Sequence, residues 1–164
     1  HKNEPLAGLI DHPALDVTTY AGAGLGIYCN GARLEQPCSG RQQKERNVRI
    51  ATAKRENFMR WSDDSAVFDA IVRGYPSFWV FDNCYSHTAV LSGAADAMVD
   101  YNVRFWDVSP LKVLVEEAGG VFQCLRRAER TDGAVSYSVV FGVPEVVREL
   151  AAIYEEYMAK KRDT

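Results

Sequence analysis

The stretch from Ala95 to Phe122, which reads ADAMVDYNVRFWDVSPLKVLVEEAGGVF, places the strongest constraint on the fold of this chain. Residues Ala97 to Tyr101 alternate small or apolar side chains with polar ones, a pattern typical of a short strand. Apolar side chains then recur at helical spacing, which predicts a helix that starts at Asp107. Pro110 falls in its first turn, where a missing N–H is tolerated, and Gly119-Gly120 ends it by supplying the left-handed conformation of a helix C-cap.

Two carboxylates and a base fall around the predicted start of this helix. Asp107 could simply cap the helix, because an aspartate there accepts backbone N–H bonds worth about 1 kcal/mol. Asp100 stands seven residues upstream at the end of the strand, and Arg104 lies between the two acids. Asp100 and Arg104 could form a surface ion pair worth less than about 1 kcal/mol. The alternative is a site for a metal or a phosphate ester at this sheet edge, which we favour.

The first third of the chain predicts an antiparallel meander of three strands, at Leu6 to Ile10, Val17 to Tyr20 and Ile27 to Cys29. Its glycines suit turns, and GAGLG is not a dinucleotide motif, because no helix pattern follows it. Asp11, His12 and Asp16 surround Pro13 and also favour a turn over a metal site. The segment from Gln36 to Asn47 is polar and predicts a solvated, flexible loop.

From Val48 onward, strands alternate with helices, which predicts a layered α/β architecture. Phe78 to Phe81 are four consecutive apolar residues, typical of a strand buried on both faces. Arg126 to Gly133 is charged and predicts a hairpin loop. The other predicted elements are strands at 48–52 and 137–141, a helix that Ser62 or Asp63 caps and Gly74 stops, and helices at 84–92 and 144–158.

The composition excludes several classes of protein. The 164 residues are 47% hydrophobic and 25% charged, which suits one ordinary globular core. A net charge of −3 gives no general attraction to nucleic acid or to an anionic membrane. No apolar run approaches the roughly 20 residues that a membrane span requires, so we expect a cytoplasmic protein. The four cysteines lack C-x-x-C spacing and are expected to be reduced thiols.

The motif WDVSPLKVLVEEAGG resembles the signature of the inositol monophosphatase family, which consists of magnesium-dependent phosphomonoesterases. The resemblance extends upstream through Asp82-Asn83-Cys84-Tyr85, Ser92-Gly93 and Ala95-Asp96 to the hairpin that ends in Cys29-Asn30-Gly31, and so covers most of the chain. It implies the family's α+β and α/β layered sandwich, the sugar-phosphatase fold. The chain would then be its C-terminal portion, with residues 1–47 closing a first α+β domain and residues 48–164 forming an α/β domain.

The resemblance also implies roles for individual residues. Asp107 would be a catalytic metal ligand for Mg²⁺, and Asp100 would contact a hydroxyl or amine of the substrate. Asp82, Asn83 and Cys84 would bind substrate at a helix start, whose free N–H groups attract phosphate. Arg104 lies where the histidinol-phosphate phosphatase branch carries a base. The expected partner is a small phosphorylated metabolite, and homodimers are common in the family.

Several features depart from the family pattern. The sequence has neither the helix-borne Glu-Glu nor the Asp-Pro-x-Asp-Gly-Thr run that supply most metal ligands, so we expect the N-terminal metal-binding half to be absent from this chain and the chain alone to be inactive. Asn83-Cys84-Tyr85 stands where the histidinol branch has Asp-Cys-Tyr. Cys84-Tyr85 match the Cys-Tyr pair of that branch, whereas the inositol-specific branch has Gly-Thr-Ala, so histidinol phosphate is slightly favoured over inositol phosphate or a nucleotide or sugar bisphosphate. The alternative is an inactive relative that acts in binding or assembly.

For Cys84 and His87, the sequence favours structural roles over catalytic ones. Cys84 in the first turn of a helix could be a reactive thiolate, but packing is favoured, because His87 is the sole nearby base along the sequence. His87 itself is typical of a histidine on a helix face.

Overall fold

The computed structural model describes residues 4–39, 47–81, 83–130 and 132–163. Two sheets form the framework of the described residues, one with four antiparallel strands and one with five strands of mixed direction. The strands are β1 (Ala7–His12), β2 (Val17–Gly22), β3 (Gly26–Cys29), β4 (Ala32–Arg33), β5 (Arg49–Thr52), β6 (Ser77–Val80), β7 (Ala97–Val103), β8 (Val121–Glu129) and β9 (Val135–Gly142). The helices are α1 (Arg55–Met59), α2 (Ser65–Gly74), α3 (Tyr85–Leu91), α4 (Phe105–Val108), α5 (Leu111–Glu117) and α6 (Pro144–Arg162), with a 3₁₀ turn at Pro13–Leu15.

The predicted three-stranded meander is confirmed as β1, β2 and β3, and the short β4, which was not predicted, extends it to a four-stranded sheet in the order β1-β2-β3-β4. Its glycine turn is held by α5, because the two carboxylate oxygens of Glu117 accept the N–H groups of Gly24 and Gly26, each at 2.6 Å. Gly8 allows β1 to approach the same helical region. A Cβ at that position would lie 2.6 Å from the carbonyl oxygen of Pro110, so a side chain there would force the two elements apart.

The five-stranded sheet has the order β6-β5-β7-β9-β8. Strands β6, β5 and β7 are parallel, and β9 pairs antiparallel with both β7 and β8. One apolar core joins α3 and α5 to both sheets, and a second core joins the opposite face of the five-stranded sheet to α1, α2 and α6. The predicted layered fold is therefore confirmed.

The prediction of one continuous helix that starts at Asp107 is wrong, because the helix starts earlier and is divided into two, α4 and α5. The chain turns helical at Phe105, with Arg104 as the N-cap, and the short α4 ends before Pro110. Pro110 then occupies the N-cap of α5, which suits a residue without an N–H. Asp107 is consequently the third residue of α4, and its carboxylate faces back toward the helix start.

Four smaller predictions are also corrected. β6 is an edge strand whose Trp79 and Val80 are exposed, so Phe78 to Phe81 do not form a strand buried on both faces. Arg126 to Glu129 belong to β8, because pairing with β9 continues beyond a bulge into the charged segment. The N-cap of α2 is Asp64, which follows the two predicted caps, Ser62 and Asp63. Within the expected flexible loop, Cys38 is buried and its thiol donates to the carbonyl of Val90, while residues 40–46 lie outside the described part.

The two sheets fall on either side of residue 47, where the sequence predicted a boundary between two domains. The assignment of these parts to separate domains stays a prediction. In the part of the chain that the structure describes, each helix is either too short or too polar to cross a lipid bilayer. The four cysteines are free thiols, as expected.

Candidate active site

The candidate site lies at the carboxyl ends of the three parallel strands. Asn57 follows β5, Phe81 follows β6, and Trp106 and Asp107 follow β7. All of them line one cavity of about 370 Å³. Ligands in open α/β sheets bind at this edge, because the loops that follow parallel strands converge there. The polar lining consists of Asp11, Asn57, Asn83, Cys84, His87, Asp100 and Asp107.

Asp107 reaches this cavity from the first turn of α4. Its carboxylate oxygen Oδ2 accepts the backbone N–H of Arg104 at 2.9 Å, so the side chain does stabilise the helix start. The residue is nevertheless exposed, and it lines the cavity together with Asn83 and Cys84. Capping and a role in the cavity are therefore compatible, because a single bond to one oxygen leaves lone pairs on both oxygens.

Asn83 and Cys84 lie across the cavity at the start of α3. The side-chain oxygen of Asn83 accepts the backbone N–H of Tyr85 at 3.0 Å, and the backbone carbonyl of Asn83 accepts the hydroxyl of Ser86 at 2.9 Å. These bonds fix the turn that carries Cys84 into α3. Asp82, the third residue predicted to act here, lies outside the described residues.

Asp100 is buried. It pairs with His87 and not with Arg104, which the sequence had left as an alternative. Its Oδ2 lies 2.9 Å from Nε2 of His87, and its Oδ1 accepts the N–H of Tyr101 at 3.0 Å. The ring of His87 is itself buried and stands edge-on to Phe141. Two internal bonds therefore fix the orientation of the carboxylate that β7 presents to the cavity.

Arg104 does not join the cavity. It caps α4 through its backbone, and it is absent from the residues that line the cavity around Asp107. The structure therefore brings together four of the residues predicted from the sequence, Asn83, Cys84, Asp100 and Asp107, and leaves Arg104 aside.

Sequence reasoning missed two histidines that the fold brings to this region. His87 faces the cavity from α3 and pairs with Asp100 instead of occupying an open helix face. His12 ends β1, and its Nδ1 lies 4.0 Å from Sγ of Cys84 while its Nε2 lies 2.8 Å from Oγ1 of Thr88. The pairing of His12 with Cys84 spans 72 residues, so no local pattern could have revealed it. The spacing of Cys84 and His87 along one helix was a usable signal.

The donor chemistry around Asp107 suits Mg²⁺ in part. Mg²⁺ prefers oxygen ligands, retains several waters, and is commonly held by one or two carboxylates together with substrate phosphates. An exposed carboxylate on the cavity wall fits the role of one such ligand. Among the described residues, however, no three His, Cys, Asp or Glu side chains lie close enough to hold a metal ion. These residues would therefore contribute to a metal site without completing it.

The fold and the cavity define a layered α/β protein with acidic groups at the carboxyl edge of its parallel strands. The model of the inositol monophosphatase family matches residues 1–159, and the chain belongs to that family. The resemblance drawn from the tryptophan-aspartate motif is thereby confirmed.

Individual relatives agree with this membership. A histidinol-phosphatase of Chlorobaculum parvum is 32% identical over 117 residues, which cover 69% of this chain and 42% of the relative. The IMPase of Thermotoga maritima superposes with a TM-score of 0.72 at 19% identity, over 96% of this chain and 58% of that one. SaIMPase-II of Staphylococcus aureus, with inositol monophosphate bound, gives 0.73 at 19% identity, over 96% and 59%. The chain thus spans about half the length of these relatives.

Proposed function

We propose that this chain forms part of a magnesium-dependent phosphomonoesterase that cleaves a small phosphorylated metabolite. The observation that carries the proposal is the shared cavity of Asp107, Asn83, Cys84 and Asp100 in a chain of this family. Because the chain spans 42% of the histidinol-phosphatase relative, we further propose that residues outside these 164 complete the metal site. By itself the chain is expected to be inactive.

The proposed division of roles follows from the charges and the geometry. Asp107 would act as a metal ligand, since its carboxylate is exposed to the cavity while one oxygen is oriented by the N–H of Arg104. A bound Mg²⁺ would supply positive charge against the ester oxygens and activate water. Asn83 and Cys84 would place the start of α3 against the phosphate, and Asp82 is proposed to act beside them.

Asp100 is proposed to bind the alcohol portion of the substrate. Its carboxylate is buried and fixed by His87 and Tyr101, so it is preorganised to accept a hydrogen bond from a hydroxyl or ammonium group. Histidinol phosphate carries such an ammonium group, and the 32% identical relative is a histidinol-phosphatase. We therefore place histidinol phosphate slightly ahead of inositol 1-phosphate and of nucleotide or sugar bisphosphates.

Phosphate release by the intact protein tests the proposal. Histidinol phosphate, inositol 1-phosphate and a bisphosphate should be compared with Mg²⁺ and with EDTA. We expect release that depends on magnesium, with the highest kcat/KM for histidinol phosphate. No release from any substrate would contradict the enzymatic proposal and favour the second candidate, an inactive binding or assembly relative. That candidate gains support from the absence of a three-residue metal cluster among the described residues.

The variant Asp100→Asn tests which substrate the protein prefers, independently of whether it is a phosphatase. Removing the charge should weaken discrimination in favour of the ammonium-bearing substrate by about tenfold or more, because a charged hydrogen bond is replaced by a neutral one. Activity toward inositol 1-phosphate should fall less. An equal fall for both substrates would contradict the role of Asp100 in recognising the amine.

A further inference from the structure

Cys84 is paired with a histidine that its own stretch of sequence does not supply. Its Sγ lies 4.0 Å from Nδ1 of His12, which β1 brings to the start of α3 from 72 residues away. The ring of His12 is half-buried, and its Nε2 lies 2.8 Å from Oγ1 of Thr88 on α3. A thiol, a base and a hydroxyl that orients the base therefore form one chain of contacts, which is the arrangement that activates a cysteine nucleophile.

Two contacts hold the ring of His12 in place. Besides its bond to Thr88, the ring packs edge-on against the ring of Tyr85, with the two centroids 6.0 Å apart. When Nε2 carries the ring proton and donates it to the Thr88 hydroxyl, Nδ1 is an acceptor. The nitrogen that faces Cys84 is then positioned to take the proton of the thiol.

The sulfur of Cys84 is also accessible to reagents. Cys84 is exposed and lines the candidate active-site cavity, whereas His12 is not among the residues that line it. The other cysteines lack this combination. Cys38 is buried, Cys29 is half-buried, and Cys124 is exposed on β8 beside a cavity whose described lining contains no histidine. Cys84 is therefore the cysteine of the described chain that combines exposure with a histidine partner.

We propose that Cys84 is a site of oxidation by hydrogen peroxide, and that its oxidation blocks the candidate active site. The thiol proton passes to Nδ1 of His12, and the sulfur attacks one oxygen of the peroxide. An S–O bond forms as the O–O bond breaks, so the sulfur is oxidised by two electrons to sulfenic acid and the peroxide is reduced. The departing hydroxide takes the proton from His12 and leaves as water.

The consequence of this oxidation for the cavity rests on the proposed function. Cys84 and Asn83 line the same cavity as Asp107, in the turn that is proposed to hold the phosphate. An oxygen added to Sγ enlarges the side chain where the phosphate ester would bind, so the oxidised thiol and the ester compete for one space. Sulfenic acid is returned to the thiol by reductants, so the block should be reversible.

Trapping of sulfenic acid with dimedone tests the oxidation directly. The intact protein should be treated with hydrogen peroxide in EDTA, which removes free metal ions that decompose peroxide. Peptide mapping by mass spectrometry then gives the rate of labelling at each cysteine. We expect Cys84 to be labelled at least about tenfold faster than Cys124, because Cys84 alone of the two has a base beside its thiol. Equal rates at these two exposed cysteines would overturn the proposal.

Variants of the two supporting residues test the cause of the reactivity. His12→Gln removes the base and should slow the labelling of Cys84 at least about tenfold, while Cys124 is labelled as in the wild type. Thr88→Val removes the hydroxyl that orients the ring and should slow the labelling less, and Thr88→Ser should retain the wild-type rate. Unchanged labelling in His12→Gln would overturn the role of the histidine. The comparison of Cys84 with Cys124 in the wild type needs no variant to fold.

Phosphate release connects the oxidation to the candidate active site. Peroxide treatment, followed by removal of peroxide and addition of Mg²⁺, should abolish release from histidinol phosphate, and dithiothreitol should restore it. Inorganic phosphate present during the treatment should slow the labelling of Cys84. Labelling of Cys84 without loss of release would overturn the proposed block. If Cys84 is labelled but the untreated protein releases no phosphate, the proposed function fails while the oxidation site stands.

Discussion

Asp64 and Asp107 both stand at the start of a helix, yet the fold surrounds them differently. The carboxylate of Asp64 is fully buried, and the carboxylate of Asp107 is exposed at the cavity and accepts one backbone N–H. The side chains that donate to Asp64 are Ser62, Tyr101, Arg126 and Lys161, at 2.6 to 2.8 Å. Asp64 ties α6 and β8 to the start of α2, whereas Asp107 keeps most of its bonding capacity.

The difference indicates which acid serves the fold and which is available to a ligand. A buried carboxylate whose oxygens are satisfied by cations and hydroxyls stabilises the native state only while its partners remain. An exposed carboxylate at a cavity contributes little to stability and can bind a cation. Charge-removing variants at the two positions should therefore have opposite consequences.

The largest effect is expected from Asp64→Asn. It leaves the partly buried Arg126 without the buried carboxylate to which it donates and should lower the free energy of unfolding by about 3 kcal/mol or more. Urea denaturation of the intact protein measures this loss. Asp107→Asn should change it by less than about 0.5 kcal/mol, because asparagine still accepts the N–H of Arg104. Similar losses in both variants would show that the two carboxylates do not differ in this way.

The dependence of the unfolding free energy on pH in the acid range provides a second test of the difference between Asp64 and Asp107. Burial alone would raise the pKa of Asp64, but hydrogen bonds from Lys161, Ser62 and Tyr101 and the charge of Arg126 together lower it below the ordinary 3.8. A lowered pKa in the folded state means that this stabilisation is complete above pH 3.8 and is lost as the pH falls through the folded pKa.

Urea denaturation of wild type and Asp64→Asn across the acid range checks this dependence. The difference in unfolding free energy between the two should shrink as the pH falls below the ordinary carboxyl range. A constant difference between the wild type and Asp64→Asn down to the lowest pH would contradict the low pKa of Asp64.

The reactivity of two thiols compares the packed interior, which holds Cys38, with the cavity, which holds Cys84. Burial, and to a lesser degree the charge of Asp96, raises the pKa of the Cys38 thiol to about 12. Cys38 should therefore resist alkylation by iodoacetamide until the protein unfolds, since the thiolate is the reactive form. Cys84 is exposed at the cavity and should react in the native protein. Peptide mapping by mass spectrometry measures both rates, and comparable native rates would contradict the burial of Cys38.

The smallest effect is expected on the outer face of α6. Arg148 pairs with Glu145 at 3.3 Å, and both side chains are largely exposed. Arg148→Ala should change the free energy of unfolding by no more than about 0.5 kcal/mol, because exposed ion pairs contribute little. A loss of unfolding free energy close to that of Asp64→Asn, measured by urea denaturation, would show that burial does not determine how much an ion pair contributes to stability.

The sequence predicted most of the fold because its strongest patterns are local. Alternation over Ala97 to Tyr101 and the helical spacing beyond Val108 depend on neighbouring residues alone, and both patterns correspond to real elements. The helix start at Asp107 was misplaced, because an aspartate three residues inside a helix can accept the N–H of the N-cap residue and then resembles a cap itself.

Long-range contacts account for what sequence patterns missed. Phe78 to Phe81 suggested a central strand, but strand order decides which strand forms the edge of a sheet, and apolar composition does not record it. The pairs of His12 with Cys84 and of Asp64 with Lys161 join residues that lie 72 and 97 positions apart. By contrast, the family motif located Asn83, Cys84, Asp100 and Asp107, which the fold gathers around one cavity.

The central claim is that the Asp107 carboxylate faces a site for a cation and a phosphate ester, and that its capping bond is secondary. The most direct test compares magnesium-dependent phosphate release by the intact wild-type protein, Asp107→Asn and the control Asp69→Asn. The Asp69 side chain is about one-third exposed (38%), but it pairs with Arg55 and does not line the cavity. We predict that Asp107→Asn lowers kcat/KM at least about a hundredfold, or about 2.7 kcal/mol, at unchanged stability. The control should retain wild-type activity, and wild-type activity in Asp107→Asn would contradict the account.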